Sequence, residues 1–263
     1  MTTRAGRAVL ALALTSASFA ARPLAAGEQT ASYRAAGAQA GLFDQYDIDG
    51  YSLAAATEPD GSVELKVRVV DFALRSAAPF RWRALPGAAL VPAPDRDAFA
   101  RERTKGSPTQ AEAVRRLLLA IAGEVRYDAD RDRNQDPAAV FASRRAYCVG
   151  YAELAVDLMQ RVGISARTVL GILRTAASAD RYDPEIGGVY HRWIEVFYAD
   201  RGYVFSDPAA SINGVDARYI PFDRRALTRP QSLRVTELAP VRGSLLYETV
   251  PSAGSLLRVR RTR

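Results

Sequence analysis

Apolar positions recur every three or four residues in two stretches of the chain. Val114, Leu117, Leu118, Ile121 and Val125 form one stripe, and Ala152, Ala155, Leu158, Met159 and Val162 form the other. Both read as helices with one buried face. Ser107-Pro108-Thr109-Gln110 precedes the first and reads as a capping box, with serine as N-cap, proline at the first helical position and glutamine at the third. Gly163 is a natural stop for the second, which places Cys148 at or just before the start of a helix of about four turns. Asp136-Pro137 repeats the cap-then-proline signal for a short helix through Phe141.

Strand patterns occupy most of the remainder. Ser52 to Thr57 and Val63 to Val70 flank Glu58-Pro59-Asp60-Gly61-Ser62 and read as a hairpin. Ser165 to Leu170, Tyr190 to Tyr198 and Tyr203 to Ser206 read as three more strands, the last ending at Asp207-Pro208. Short strands are expected around Leu233 to Thr236 and Leu245 to Val250. Residues 27–50 show no strong period and read as a loose lead-in, while 71–105 carry Pro79, Pro86, Pro92 and Pro94 and read as mostly irregular. Arg174 to Gly188 is polar and reads as a loop.

The first 26 residues read as an address. Arg4 and Arg7 lead into the apolar run Ala8 to Leu14, and small residues follow around Ala20 and Ala26, either of which suits cleavage. The run is shorter than the ~20 apolar residues a membrane span needs. The expectation is a signal peptide and an exported protein, periplasmic or secreted, with no integral membrane segment after cleavage.

Composition narrows the chemistry. The chain has 263 residues, 48% hydrophobic and 25% charged, as in a folded globular protein. Its formal charge of +7 is almost all arginine, since only Lys66 and Lys105 are lysine. The arginines are scattered among acids rather than clustered with aromatics, so nucleic acid is not an expected partner. One cysteine and one histidine are too few for a zinc site, no phosphate loop is present, and no cofactor or metal is expected. The acids Asp128, Asp130, Asp132 and Asp136 are interrupted by Arg131 and Arg133 and read as a solvated loop. Oligomeric state is not legible.

In an exported protein a lone cysteine is an intermolecular link, an inert buried residue or a reactive thiol. A helix start favours the last, because free backbone N–H groups and the helix dipole stabilise a thiolate. A thiolate needs a base and proton carrier, and His191 is the sole histidine. Its imidazole needs an orienting carboxylate, for which Asp207 is the first choice and Glu195 the fallback. Pairing Tyr198 with Tyr203 would turn Asp207 away from His191. A one-residue shift, with Gly202 at positive φ, sets Asp207 opposite Trp193 and diagonal to His191. The triad therefore requires an odd-length turn or a bulge near Gly202.

Three blocks then resemble the transglutaminase-like superfamily. Arg145-Ala146-Tyr147-Cys148-Val149-Gly150-Tyr151-Ala152-Glu153-Leu154, with Val162 to Arg167 and Gly171, resembles its nucleophile block. Tyr190-His191-Arg192-Trp193-Ile194-Glu195-Val196 resembles its histidine strand, and Gly202-Tyr203-Val204-Phe205-Ser206-Asp207-Pro208 its aspartate block. The resemblance implies a papain-related α+β fold, with the cysteine helix packed on an antiparallel sheet over 106–263 and a small β-containing region over 27–105. It implies Cys148 as nucleophile, His191 as base and Asp207 as orienting carboxylate. Tyr147 stands where the family often has glycine and Arg192 where it often has a small residue. With Trp193 they are expected on the substrate side. The implied activity is thiol acyl transfer on peptide or side-chain amides, ending in hydrolysis or cross-linking. The alternatives are a peptide-binding module that keeps the fold without catalysis and a dimer linked through Cys148.

Overall fold

A computed structural model describes residues 27–250 apart from 39–40, 44, 72–75, 84, 86–89, 180, 227 and 246–247. The expected signal peptide lies outside the described residues. Strands β1 (Glu28–Ala36), β2 (Tyr46–Ile48), β3 (Tyr51–Thr57) and β4 (Val63–Val70) come first. Helices α1 (Pro94–Thr104) and α2 (Gln110–Glu124) lead to β5 (Arg126–Tyr127), α3 (Pro137–Ser143), β6 (Arg145–Ala146) and α4 (Cys148–Arg161). The strands β7 (Ala166–Arg174), β8 (Gly188–Tyr198), β9 (Gly202–Ser206), β10 (Ser211–Ile212), β11 (Tyr219–Pro221), β12 (Arg234–Ser244) and β13 (Glu248–Thr249) complete the order.

A four-stranded antiparallel sheet, β11-β7-β8-β9, forms the middle layer. Strand alternation gives it two buried faces. Ile194, Val196 and Tyr198 of β8 join the helical core with Leu117 and Leu158. Trp193 and Phe205 join Tyr33, Leu53 and Leu65 of a five-stranded sheet, β12-β1-β4-β3-β2. Each fully buried Leu or Phe contributes about 1.5–3 kcal/mol by leaving water. The fold is the expected α+β arrangement, with Cys148 opening a helix packed on an antiparallel sheet.

The hairpin of β3 and β4 turns where expected. Asp60 accepts from the Ser62 backbone N–H at 2.9 Å and its hydroxyl at 2.6 Å, and Gly61 takes φ +81°.

Four expectations need correction. Residues 27–50 are not a loose lead-in, because β1 is a central strand paired with both β4 and β12. Its buried positions are Ala31, Tyr33 and Ala35, an alternation carried largely by small residues and therefore faint. Residues 71–105 are not mostly irregular, since α1 occupies Pro94–Thr104. That helix buries Arg96, Ala100 and Thr104 rather than an apolar stripe, and Arg96 docks on Asp157 of α4 at 2.9 Å. Helix α2 starts later than the capping box suggested. Thr109 is its N-cap and accepts from the Glu112 N–H at 3.2 Å, while Pro108 stays outside. Finally, β12 is longer than expected and completes the N-terminal sheet, so residues 27–105 do not build that sheet alone.

Candidate active site

Helix α4 begins at Cys148 itself. Tyr147 is its extended N-cap and supplies no side-chain hydrogen bond, so the first-turn N–H groups are not capped by it. The loop before the helix is drawn close: Gln135 Oε1 accepts from the Tyr147 N–H at 3.1 Å. Only glycine fits beneath it, since a Cβ at Gly150 would lie 2.5 Å from Gln135 Oε1 and 2.8 Å from the Ala146 Cβ. Asp136 caps the neighbouring α3 by accepting from the Ala139 N–H at 2.8 Å.

The opposing groups come from β8 and the end of β9. Tyr198 pairs with Gly202 across an odd-length turn, and Gly202 has φ +78°. Ile194 consequently faces Ser206, and continuing the ladder sets Asp207 opposite Trp193. This is the register the triad requires. His191 Nε2 lies 2.6 Å from Asp207 Oδ2, and both residues are buried. With Nε2 engaged, Nδ1 is the ring nitrogen left for Cys148, which hydrogen-bonds His191.

Asp207 is held from three sides. Its Oδ2 also accepts from the Tyr219 hydroxyl at 2.8 Å, and its Oδ1 from the Ala209 N–H at 2.9 Å. Burial holds the Tyr219 hydroxyl well above its ordinary pKa, so it stays a donor. Sequence reasoning missed Tyr219, because an isolated tyrosine on a three-residue strand carries no spacing signal. The N-terminal sheet braces the segment around it. Tyr33, Tyr51 and Tyr46 donate to the carbonyls of Ala217, Tyr219 and Phe222 at 2.9, 2.7 and 3.3 Å.

Electrostatics favour a charged pair. Burial pushes the Cys148 thiol up, but the His191 hydrogen bond and charge, with the Arg192 backbone N–H, outweigh it and hold the thiol below its ordinary range. Burial pushes His191 down, and the charge and hydrogen bond of Asp207, joined by Cys148, raise it to about 10. The arrangement suits a thiolate beside an imidazolium.

Of the residues expected on the substrate side, Tyr147 alone lines the cavity at Cys148. Trp193 has no exposed surface; its ring stacks on His191 at 6.2 Å and meets Tyr219 edge-on at 5.3 Å. Arg192 points to the other face of β8, where Nη1 pairs with Glu153 of α4 at 2.8 Å. Both correct the expectation, because strand alternation commits one side chain to the core and the other to the helix. Glu195, the fallback orienter, is fully buried and held by Arg167 and Arg224. The acidic loop is tied down as well: Asp128 pairs with Arg133 at 3.5 Å and Arg145 at 3.4 Å. Among the described residues no helix is long and apolar enough to cross a membrane.

The cavity at Cys148 measures about 320 Å³ and is bordered by Tyr127, Tyr147, Tyr190, His191 and the loop residues Arg131, Arg181, Asp183 and Arg229. The loop arginines were not anticipated, because they come from three separate segments.

Residues 97–208 match the model of the transglutaminase-like superfamily. The chain is similar in structure to a candidate cysteine protease from Cytophaga hutchinsonii, at 14% identity and TM-score 0.43, covering 87% of this chain and 91% of that one. It is similar to the periplasmic domain of TgpA from Pseudomonas aeruginosa bound to ethylmercury, at 16% identity and TM-score 0.36, covering 72% and 77%. A structure described as a TGase matches at 14% identity and TM-score 0.35, covering 72% of this chain and 52% of that one. No curated protein matches.

Proposed function

Taking residues 97–208 as a domain of the transglutaminase-like superfamily, we propose that the protein is an exported cysteine enzyme that cleaves or transfers acyl groups from peptide or side-chain amides. The observation that supports this most is the continuous contact from Cys148 through His191 to Asp207. In this reading the Cys148 thiolate attacks the amide carbonyl, and the carbonyl oxygen takes the negative charge. The Cys148 backbone N–H at the start of α4 is the donor assigned to that oxyanion. His191 then gives its proton to the leaving amine, and the C–N bond breaks to leave a thioester on Cys148. An incoming water or amine loses a proton to His191 as it attacks the thioester, and the thiolate returns. Asp207 keeps the imidazole in one orientation and stabilises its positive charge without itself taking the proton.

Hydrolysis is the outcome we assign, because water is always present and a transferase must exclude it. Incubation with a labelled primary amine and a glutamine-containing protein separates the two. Chain cleavage supports hydrolysis and amine incorporation supports transfer, each lost in Cys148→Ala. Failure of both, with Cys148 inert to thiol reagents at neutral pH, would contradict the enzyme reading.

A further inference from the structure

Many arginines of the fold are matched to carboxylates, among them Arg68 to Glu28, Arg115 to Glu248, Arg161 to Asp157, Arg201 to Asp49 and Arg218 to Asp216. At the cavity, Arg131 and Arg229 have no ion-pair partner among the described residues, although both face the solvent beside Cys148. The Arg229 guanidinium lies 5.0 Å above the Tyr190 ring, which fixes its plane at the rim. Arg181 stands on the same rim and donates to the Ala129 carbonyl, and Asp183 is the one acidic residue there. Asp183 Oδ1 accepts from the Glu185 N–H at 2.9 Å. Arg131 and Arg229, which no carboxylate pairs among the described residues, make this part of the mouth positive.

The two unpaired cations also crowd each other. Partial burial and the charge of Arg131 both act to lower the Arg229 pKa, while Cys148, Tyr147 and Tyr190 act to raise it. A neutral amide relieves none of this repulsion. A carboxylate does, because its two oxygens match the guanidinium fork.

We infer that Arg131 and Arg229 bind a carboxylate carried by the substrate next to the carbonyl that Cys148 attacks, so that the preferred acyl donor is an anionic peptide. The inference rests on Cys148 being the nucleophile, and the experiment separates the two. Iodoacetamide and iodoacetate alkylate a thiolate by the same step: a C–S bond forms and iodide leaves. They differ in that iodoacetate carries a carboxylate. The quantity read is the second-order rate of Cys148 with iodoacetate divided by its rate with iodoacetamide. Removing both arginines (Arg131→Gln with Arg229→Gln) is expected to lower the ratio roughly fivefold at low salt. Raising salt is expected to lower it in the unaltered protein and to change it little in the double variant. A ratio unmoved by both substitutions and salt overturns the inference while leaving Cys148 a nucleophile. Inertness to both reagents removes the nucleophile reading, and the inference with it.

Two sources of carboxylate are then told apart by protection of Cys148 against iodoacetamide. An acetylated, amidated peptide containing glutamate tests a side-chain carboxylate. The glutamine peptide with a free C-terminus tests a terminal carboxylate, and the same peptide amidated is the neutral reference. Stronger protection by either anionic peptide, lost in the double variant, supports the inference and names the source. Protection no better than the neutral peptide's contradicts it.

Discussion

Tyr219 and His191 meet on a single carboxylate oxygen, Oδ2 of Asp207, at 2.8 and 2.6 Å. The tyrosine is therefore a positioning residue for the histidine's partner. Its own carbonyl accepts from Tyr51 of the N-terminal sheet, so that sheet and the candidate site share one hydrogen-bonded path.

Replacing Tyr219 with phenylalanine keeps the ring and removes the donor. A hydrogen bond to a buried charge contributes about 1.5–3 kcal/mol. Tyr219→Phe is expected to lower unfolding free energy in urea by about that amount, and to lower turnover more than it changes substrate affinity. Stability within a few tenths of the unaltered protein would show that Asp207 does not depend on this hydroxyl.

Two glycines should respond in opposite directions to alanine. At Gly171 a Cβ would lie 2.2 Å from the Ile220 carbonyl oxygen and 2.5 Å from the Trp193 ring that stacks on His191. Gly171→Ala is expected to cost about 1–3 kcal/mol through overpacking. Gly123, near the end of α2, has nothing within 4 Å of the same position. Gly123→Ala is expected to gain up to about 1 kcal/mol from helix propensity. Urea melts of the two variants read the contrast directly.

Arg161 joins α1, α4 and the segment before α1. Its side chain, 2% exposed, reaches Asp157 and Asp97 at 2.8 Å and the Val91 carbonyl at 3.0 Å. Removing one member of a buried ion pair costs about 3–5 kcal/mol because the other charge stays buried. Arg161→Ala should lose an amount near the lower end, since Arg96 still neutralises Asp157. A loss under 1 kcal/mol in a urea melt, as for an exposed pair, would show that the network is not structural.

The charge of Asp207 is the largest influence raising His191, against the opposing pull of burial. The imidazolium persists below the raised pKa of about 10 and is lost as pH rises through it. Asp207→Asn removes that support, so His191 should deprotonate at lower pH and the alkaline limb of the rate profile should move down. An unmoved alkaline limb would assign it to another group.

These relationships differ in how far they could be read from the sequence. The helix bearing Cys148 was legible because its apolar stripe and Gly163 stop are local signals. The contact of His191 with Asp207 was legible through strand parity, since a single residue of register decides which face Asp207 occupies, and Gly202 supplies the needed turn. Helix α1 was not, because Arg96 and Thr104 occupy its buried face and an ion pair has no hydropathy signature. Tyr219, Arg131 and Arg229 were not, because they reach the site from separate segments by tertiary folding alone.

The central claim is that His191 makes Cys148 a thiolate, and the rate of iodoacetamide alkylation against pH measures it most directly. An ordinary thiol has a pKa of about 8.5. In the unaltered protein the rate should rise with a midpoint below that value, since His191 and the Arg192 N–H outweigh burial. In His191→Ala both contributions of the histidine are gone, and the Arg192 N–H alone opposes burial, the largest influence, and the Asp207 charge, so the midpoint should move up from that of the unaltered protein. Coincident midpoints in the two proteins would contradict the account.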